Sequence, residues 1–213
     1  MLNINPWLKI WTSPKETIQA VVNHDPKYRF NVFRFIYGFV WCLQTAQTLM
    51  LGHYYSVGAI MILSALLSVP IGYILMNITT AFFYLAGKLF RGHSDYLNVR
   101  AVVGWSNLPS LANIILWIGL VIFYGSDIFV TANPDMASAF NFAIFAMGVQ
   151  FIAGIWGLVI LIGGIAQVQK FSNLRSFGSL ILVCCMWLVL TVLLVYLLTL
   201  SSQANVAVMS LIP

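Results

Sequence analysis

Charge is scarce in this chain, and the places where it is missing altogether decide the class of protein. Five carboxylates and ten lysines or arginines occur among 213 residues. At 7% charged and 61% hydrophobic, the chain lies far from the roughly 25% charged content of soluble domains. Residues 35–87 and 176–213 contain no Asp, Glu, Lys or Arg. A spanning helix needs about 20 apolar residues, so these runs exclude a soluble fold. No Asp, Glu or Lys falls inside an apolar stretch, and Arg34 lies at the inner edge of the first. That disfavours proton- and ion-coupled pumping, which places an ionisable ligand at mid-membrane. Histidine is limited to His24, His53 and His93, all in boundaries or loops and none at metal-ligand spacing. A metal site and a Ser–His or Cys–His hydrolase are therefore both disfavoured. Gly163-Gly164 lacks the Lys-Ser/Thr pair of a phosphate loop. Cys42, Cys184 and Cys185 all lie in apolar stretches, which suits packing rather than a disulfide framework. The opening MLNINPWLKIWTSPKE lacks the basic head and apolar block of a cleavable signal peptide. These absences together point to a non-enzymatic protein without cofactor or metal.

Read as five spanning helices, the apolar stretches leave all ten lysines and arginines on one side. Lys9, Lys15, Lys27, Arg29 and Arg34 open the chain, Lys88, Arg91 and Arg100 cluster in the middle, and Lys170 and Arg175 follow. The stretches between carry only Asp127, Asp135 and His53. Because basic loops resist translocation, this asymmetry predicts an all-α membrane fold of five spans, at about 32–51, 57–87, 101–124, 139–165 and 178–200. The N-terminus is then cytoplasmic, the C-terminus outside, and 201–213 an outer tail. The run 56–87 would be about 48 Å long as one helix, against a core of ~30 Å, and Pro70 lies in its middle. A hairpin of two short spans would put later basic residues outside, so one tilted, kinked helix is expected. The net charge of +5 reads as topology and contact with anionic lipid at the cytoplasmic face. It is too dispersed for nucleic acid.

Residues 1–31 form a cytoplasmic segment. Ser13, Pro14 and Glu16 match a capping box, with Ile18, Val21 and Val22 following at helical spacing. With Trp7 and Trp11 beside lysines, this suits an amphipathic interfacial helix, or else a cap packed on the other helices. Small residues recur at four-residue spacing in Gly38/Cys42/Ala46 and in Ser64/Ser68/Gly72. Such stripes let helices approach closely, within the bundle or between protomers. The intramembrane polar set is Gln44, Gln47, Asn77, Thr80, Asn107, Asn113 and Gln150. These side chains serve interhelical hydrogen bonds, or alternatively line a path for a small solute or lipid. The segment Gly104-Trp105-Ser106-Asn107-Leu108-Pro109-Ser110 is expected to loosen the start of the third span, because the proline frees carbonyls. It is either a plain kink or a binding notch. The residues expected to meet a partner or lipid at the cytoplasmic face are Trp7, Trp11, Pro14, Lys15, Arg91, Arg100, Trp105, Ser106 and Pro109.

The stretches NPWLKIWTSPKETIQAVV (5–22) and AGKLFRGHSDYLNVRAVVGWSNLP (86–109), with Trp105, Ser106 and Pro109 in a W-S-x-x-P pattern, resemble the Yip-domain membrane proteins. The resemblance covers roughly residues 5–200. It implies a five-span membrane domain with no catalytic set, organising membrane or partner proteins through helix–helix and cytoplasmic contacts. Eukaryotic members act in early secretory traffic, associate with Rab-type GTPases and with one another, and carry a long N-terminal region. The short region here resembles the prokaryotic branch, where Rab partners do not exist. The implied location is a prokaryotic inner membrane, with self-association or other membrane proteins as partners.

Overall fold

The computed structural model describes residues 4–130 and 137–209, with side chains for 4–130 and 144–201. Two short helices open the chain. In α1 (Pro6–Lys9) the Asn5 side chain accepts the Trp7 N–H at 3.1 Å, and proline occupies the first turn, where its missing N–H is not needed. Next comes α2 (Pro14–His24), again opened by proline. The expected capping box does not form. Ser13 makes no side-chain cap bond. Glu16 pairs instead with Lys9 at 3.1 Å, and the Thr17 hydroxyl donates to the Ser13 carbonyl at 2.9 Å. A cation across the turn outcompetes the backbone N–H for the Glu16 carboxylate. The apolar face of α2 is covered by protein: Thr17, Ile18 and Val21 are fully buried against two later helices, Tyr96–Ser106 and Ala137–Gln169.

The first apolar segment forms α3 (Phe30–Thr48), which starts after Arg29 at φ 60°. It stops short of the expected residue 51 because Met50 turns left-handed (φ 51°) and Leu51–His53 winds into a 3-10 turn. The second forms α4 (Val57–Leu89), opened by Ser56, whose hydroxyl accepts the Ala59 N–H at 3.3 Å. It runs as one helix of 33 residues, not a hairpin, and Pro70 stands on its exposed side. The third segment is broken. It comprises α5 (Tyr96–Ser106), a 3-10 turn (Leu108–Ser110) and α6 (Leu111–Tyr124). Residues 96–100, expected in a loop, are its first helical turn. A further 3-10 turn covers Gly125–Phe129; the rest of the expected outer loop, with Asn133, Pro134 and Asp135, lies outside the described residues. The last two helices, α7 (Ala137–Gln169) and α8 (Asn173–Met209), overrun the expected spans at both ends. The segment taken as an outer tail is helical to Met209.

Four stretches are long and apolar enough to cross a membrane: Val57–Leu89, Tyr96–Phe129, Ile144–Gln169 and Asn173–Ser201. The fifth expected span, α3, has 19 residues, or about 28 Å at 1.5 Å each. It is diluted by Asn31, Arg34, Gln44 and Gln47. Its main partner is α4, and the two small-residue stripes meet there. All six of Gly38, Cys42, Ala46, Ser64, Ser68 and Gly72 are buried. A Cβ on Gly38 would run into the Ser68 carbonyl, and one on Gly72 into the Arg34 carbonyl. Where lipid tails are as apolar as leucine, helix contact rests on such close backbone approach and van der Waals packing.

The core divides along the bundle. Ile10, Ile18, Phe33, Met76, Val102, Trp105 and Ile165 pack near one end. Leu43, Ile60, Trp117, Leu120 and Phe129 pack near the other, where a Cβ on Gly52 would come within 2.8 Å of Phe129. By contrast α8 is exposed over most of its surface, including Leu188, Val189, Val192 and Leu193.

Candidate functional site

The basic end is organised by aromatic rings. Trp7 packs on Phe33 (centroids 5.7 Å apart) and edge-on to Trp105 (5.4 Å). Trp105 also meets Phe33 at 4.8 Å and stacks on Tyr28 at 6.3 Å. Trp105 is only 1% exposed. These contacts fasten the amino-terminal segment to α3 and α5 through large apolar faces. They also revise the expected surface, because Trp105, Ser106 and Pro109 are buried and cannot meet a partner directly. What remains exposed of that set is Trp11, Lys15 and Arg91, with Trp7, Pro14 and Arg100 half-buried. Pro14 and Lys15 border a groove of about 430 Å³ whose far wall is Val159, Ile162, Gly163 and Asn173.

The break in the third segment has a local cause. The Ser106 hydroxyl and the Asn107 amide both donate to the Val103 carbonyl, at 2.9 and 2.7 Å. The Asn107 N–H turns to the nearer Gly104 carbonyl at 3.1 Å, tightening the turn, and Pro109 can supply no N–H at all. Beside the break lies a cavity of about 230 Å³, with Tyr37, Thr79, Ser106, Asn107 and Ser110 as its polar lining. The opposite wall is Ala153, Gly154 and Gly157 of α7. A Cβ on Gly157 would lie 3.0 Å from the Ser106 carbonyl, so glycine sets the approach of α7 to the break.

The remaining polar residues do not form a line through the bundle. Asn77 accepts from the Tyr96 hydroxyl at 2.9 Å while its amide donates to the Tyr73 carbonyl at 2.7 Å, tying α4 to α5. Thr80 is fully buried and donates to the Met76 carbonyl at 2.7 Å. Gln44 is exposed, whereas Gln47 and Gln150 are half-buried. The Asn113 oxygen is buried without a hydrogen-bond partner. From the expected set the cavity takes Asn107, and none of Gln44, Asn77, Asn113 and Gln150. Among the described residues no group of three His, Cys, Asp or Glu is placed to hold a metal.

One organising residue escaped the sequence reading. Gln169, at the end of α7, is fully buried, and its Oε1 accepts the Ser94 N–H at 3.1 Å. Its side chain fills the space where a Cβ on Gly87 or Gly92 would stand, and its carbonyl accepts the His93 N–H at 3.4 Å. Gln169 thereby clasps the 90–95 turn to α4 and α7. The available signal was the pair of glycines flanking a basic turn, but spacing alone does not name the side chain that occupies their place.

A bundle whose helices are this long and apolar, with small-residue contacts and lipid-type outer faces, is a multi-pass integral membrane protein. A family model for the Yip1 domain matches residues 8–209, nearly the whole length, and the chain belongs to that family. No curated protein and no solved structure matches the chain.

Proposed function

We propose that this protein is a non-enzymatic organiser of membrane or partner proteins that works through its basic end. In this reading residues 1–31 form a cytoplasmic segment, residues 32–200 cross a prokaryotic inner membrane five times, and 201–213 lie on the outer side. The fifth crossing is α3, whose contact along α4 supports its passing through the bilayer with that helix. The one-sided distribution of the ten cations supports the orientation.

The observation that carries the organising role is the company kept by those cations. Leu8 (71% exposed), Trp11 (42%), Leu89 (73%) and Leu174 (79%) stand uncovered beside Lys9, Lys88, Arg91 and Arg175. Large apolar side chains among charges, at the end of a bundle, suit contact with another protein or with the headgroup layer. The close α3–α4 approach at Gly38 and Gly72 and the backbone bonds of the Asn77 and Asn107 amides direct attention to this end and away from a path through the helices.

Photo-cross-linking in intact cells tests the reading. A photoreactive residue at Leu8 or Leu174 is expected to yield discrete protein adducts that Trp11→Ala diminishes. The same residue at the outward-facing Leu188 of α8 yields lipid alone. Adducts equally abundant at Leu188, or insensitive to Trp11, would remove the basis for a dedicated face.

A further inference from the structure

The first turn of a helix is its positive end, and carboxylates are favoured there. At α3 the reverse arrangement occurs. Its first turn has no acidic residue and no side-chain cap. Lys27, Arg29 and Arg100 surround it, lining with Phe30, Asn31 and Val32 a cleft of about 440 Å³. Arg100 arrives from α5, its guanidinium 4.3 Å over the Phe30 ring, and its Nε is buried with no hydrogen-bond partner. Arg34, one turn along α3, also has a buried, unpartnered Nε. The carboxylate of Asp25 is engaged, accepting the Lys27 backbone N–H at 2.8 Å. Among the described residues none of these four cations forms an ion pair; the carboxylate pair that does form is Lys9–Glu16.

Cations gathered around a positive helix end repel one another, and a buried guanidinium N–H without an acceptor adds a desolvation cost. An anion held by the fork of Arg100 and the charges of Lys27 and Arg29, beside the positive end of the α3 dipole, offsets both. We propose that this cleft seats the phosphate of an anionic membrane lipid. A lipid fits better than a free anion because apolar surface adjoins the cations: exposed Val32 lines the cleft, and exposed Tyr73 of α4 packs edge-on to its Phe30 wall at 6.3 Å, where acyl chains can lie. The site rests on the basic end lying at the bilayer surface, as in the proposed function, but not on the organising role.

The test uses the purified full chain in detergent, titrated with phosphatidic acid or with phosphatidylcholine of matched chains, and read by native mass spectrometry. Phosphatidic acid is expected to be retained preferentially. The double variant Lys27→Gln/Arg29→Asn should weaken that retention by roughly tenfold or more. Asparagine tolerates the left-handed backbone at this position, so the variant keeps its fold, which circular dichroism verifies. Arg100→Gln should weaken retention as well. Lys88→Gln/Arg175→Gln removes equal charge from the same end outside the cleft and should change retention by less than about twofold. Equal retention of phosphatidylcholine, or equal loss in both double variants, overturns the site. Displacement of the lipid by millimolar inorganic phosphate overturns the lipid assignment in favour of a free anion. Since binding is read on the isolated protein, it can fail while cellular cross-linking succeeds, and the reverse.

Discussion

The narrowest tolerance for a single side chain lies at Gly38 and Gly72. Each faces a backbone carbonyl of the opposite helix so closely that a methyl group cannot enter without displacing it. Gly38→Ala or Gly72→Ala is expected to destabilise the protein by about 1–3 kcal/mol, the range for overpacking a filled contact. Gly58 is the control, with no atom within 4 Å of where its Cβ would stand. Gly58→Ala should be neutral or stabilising by up to about 1 kcal/mol, since alanine is the better helix former. Thermal unfolding in detergent, followed by circular dichroism, separates the two. Similar midpoints for Gly38→Ala and Gly58→Ala would contradict the contact. The four-residue spacing of both stripes was legible in sequence. That they face each other was not, because a spacing shows that a helix has a small face without naming what lies on it. Trp105 illustrates the same gap: a tryptophan near a basic loop suits the headgroup zone, yet three other aromatic rings draw it into the core.

Among the elements, the turns are less predictable than the helices, because side chains far away in sequence shape them. The clasp at Gln169 is the sharpest case. Gln169→Ala leaves the Ser94 N–H buried without its acceptor, at a cost of about 1–3 kcal/mol, and opens a void against Gly87 and Gly92. Hydrogen exchange should therefore accelerate over residues 90–95 while α3 and α4 remain protected. Unchanged exchange at Ser94 would show that the turn holds itself. The break after Ser106 is partly local, and sequence did announce it: Ser106, Asn107 and Pro109 each favour it by a nameable bond or missing donor. Its use as the wall of a cavity was not legible, since that depends on Gly157 arriving from a helix fifty residues later.

For the whole molecule, the decisive question is sidedness. In a background with Cys42, Cys184 and Cys185 replaced by alanine, single cysteines at Tyr54, Ser126 and Lys170 report it. Impermeant maleimide applied outside is expected to label Tyr54→Cys and Ser126→Cys at once, and Lys170→Cys only after the membrane is opened. Labelling of all three from one side would reject the crossing by α7. Lys15→Cys, exposed ahead of α3, tests that helix: it is expected to react only after the membrane is opened, and labelling from outside together with Tyr54→Cys would leave α3 on the membrane surface. Tyr54 and Ser126 suit the experiment because both are exposed, on neighbouring turns at the end of the bundle remote from the basic loops.

Sequence alone determined that this is a helical membrane protein of Yip-domain type, where its apolar segments fall, and that its cations gather in the stretches between or at the edges of those segments. Those properties follow from length, hydropathy and charge along the chain, which local physics reads without reference to distant residues. Tertiary structure decided the rest. The stripes of α3 and α4 face each other, α2 turns its apolar face to protein, Gln169 closes the basic turn, and Lys27, Arg29 and Arg100 meet at one helix end. Each depends on which surfaces of separate helices come together, and that choice is made by shape and packing between elements that no local pattern encodes.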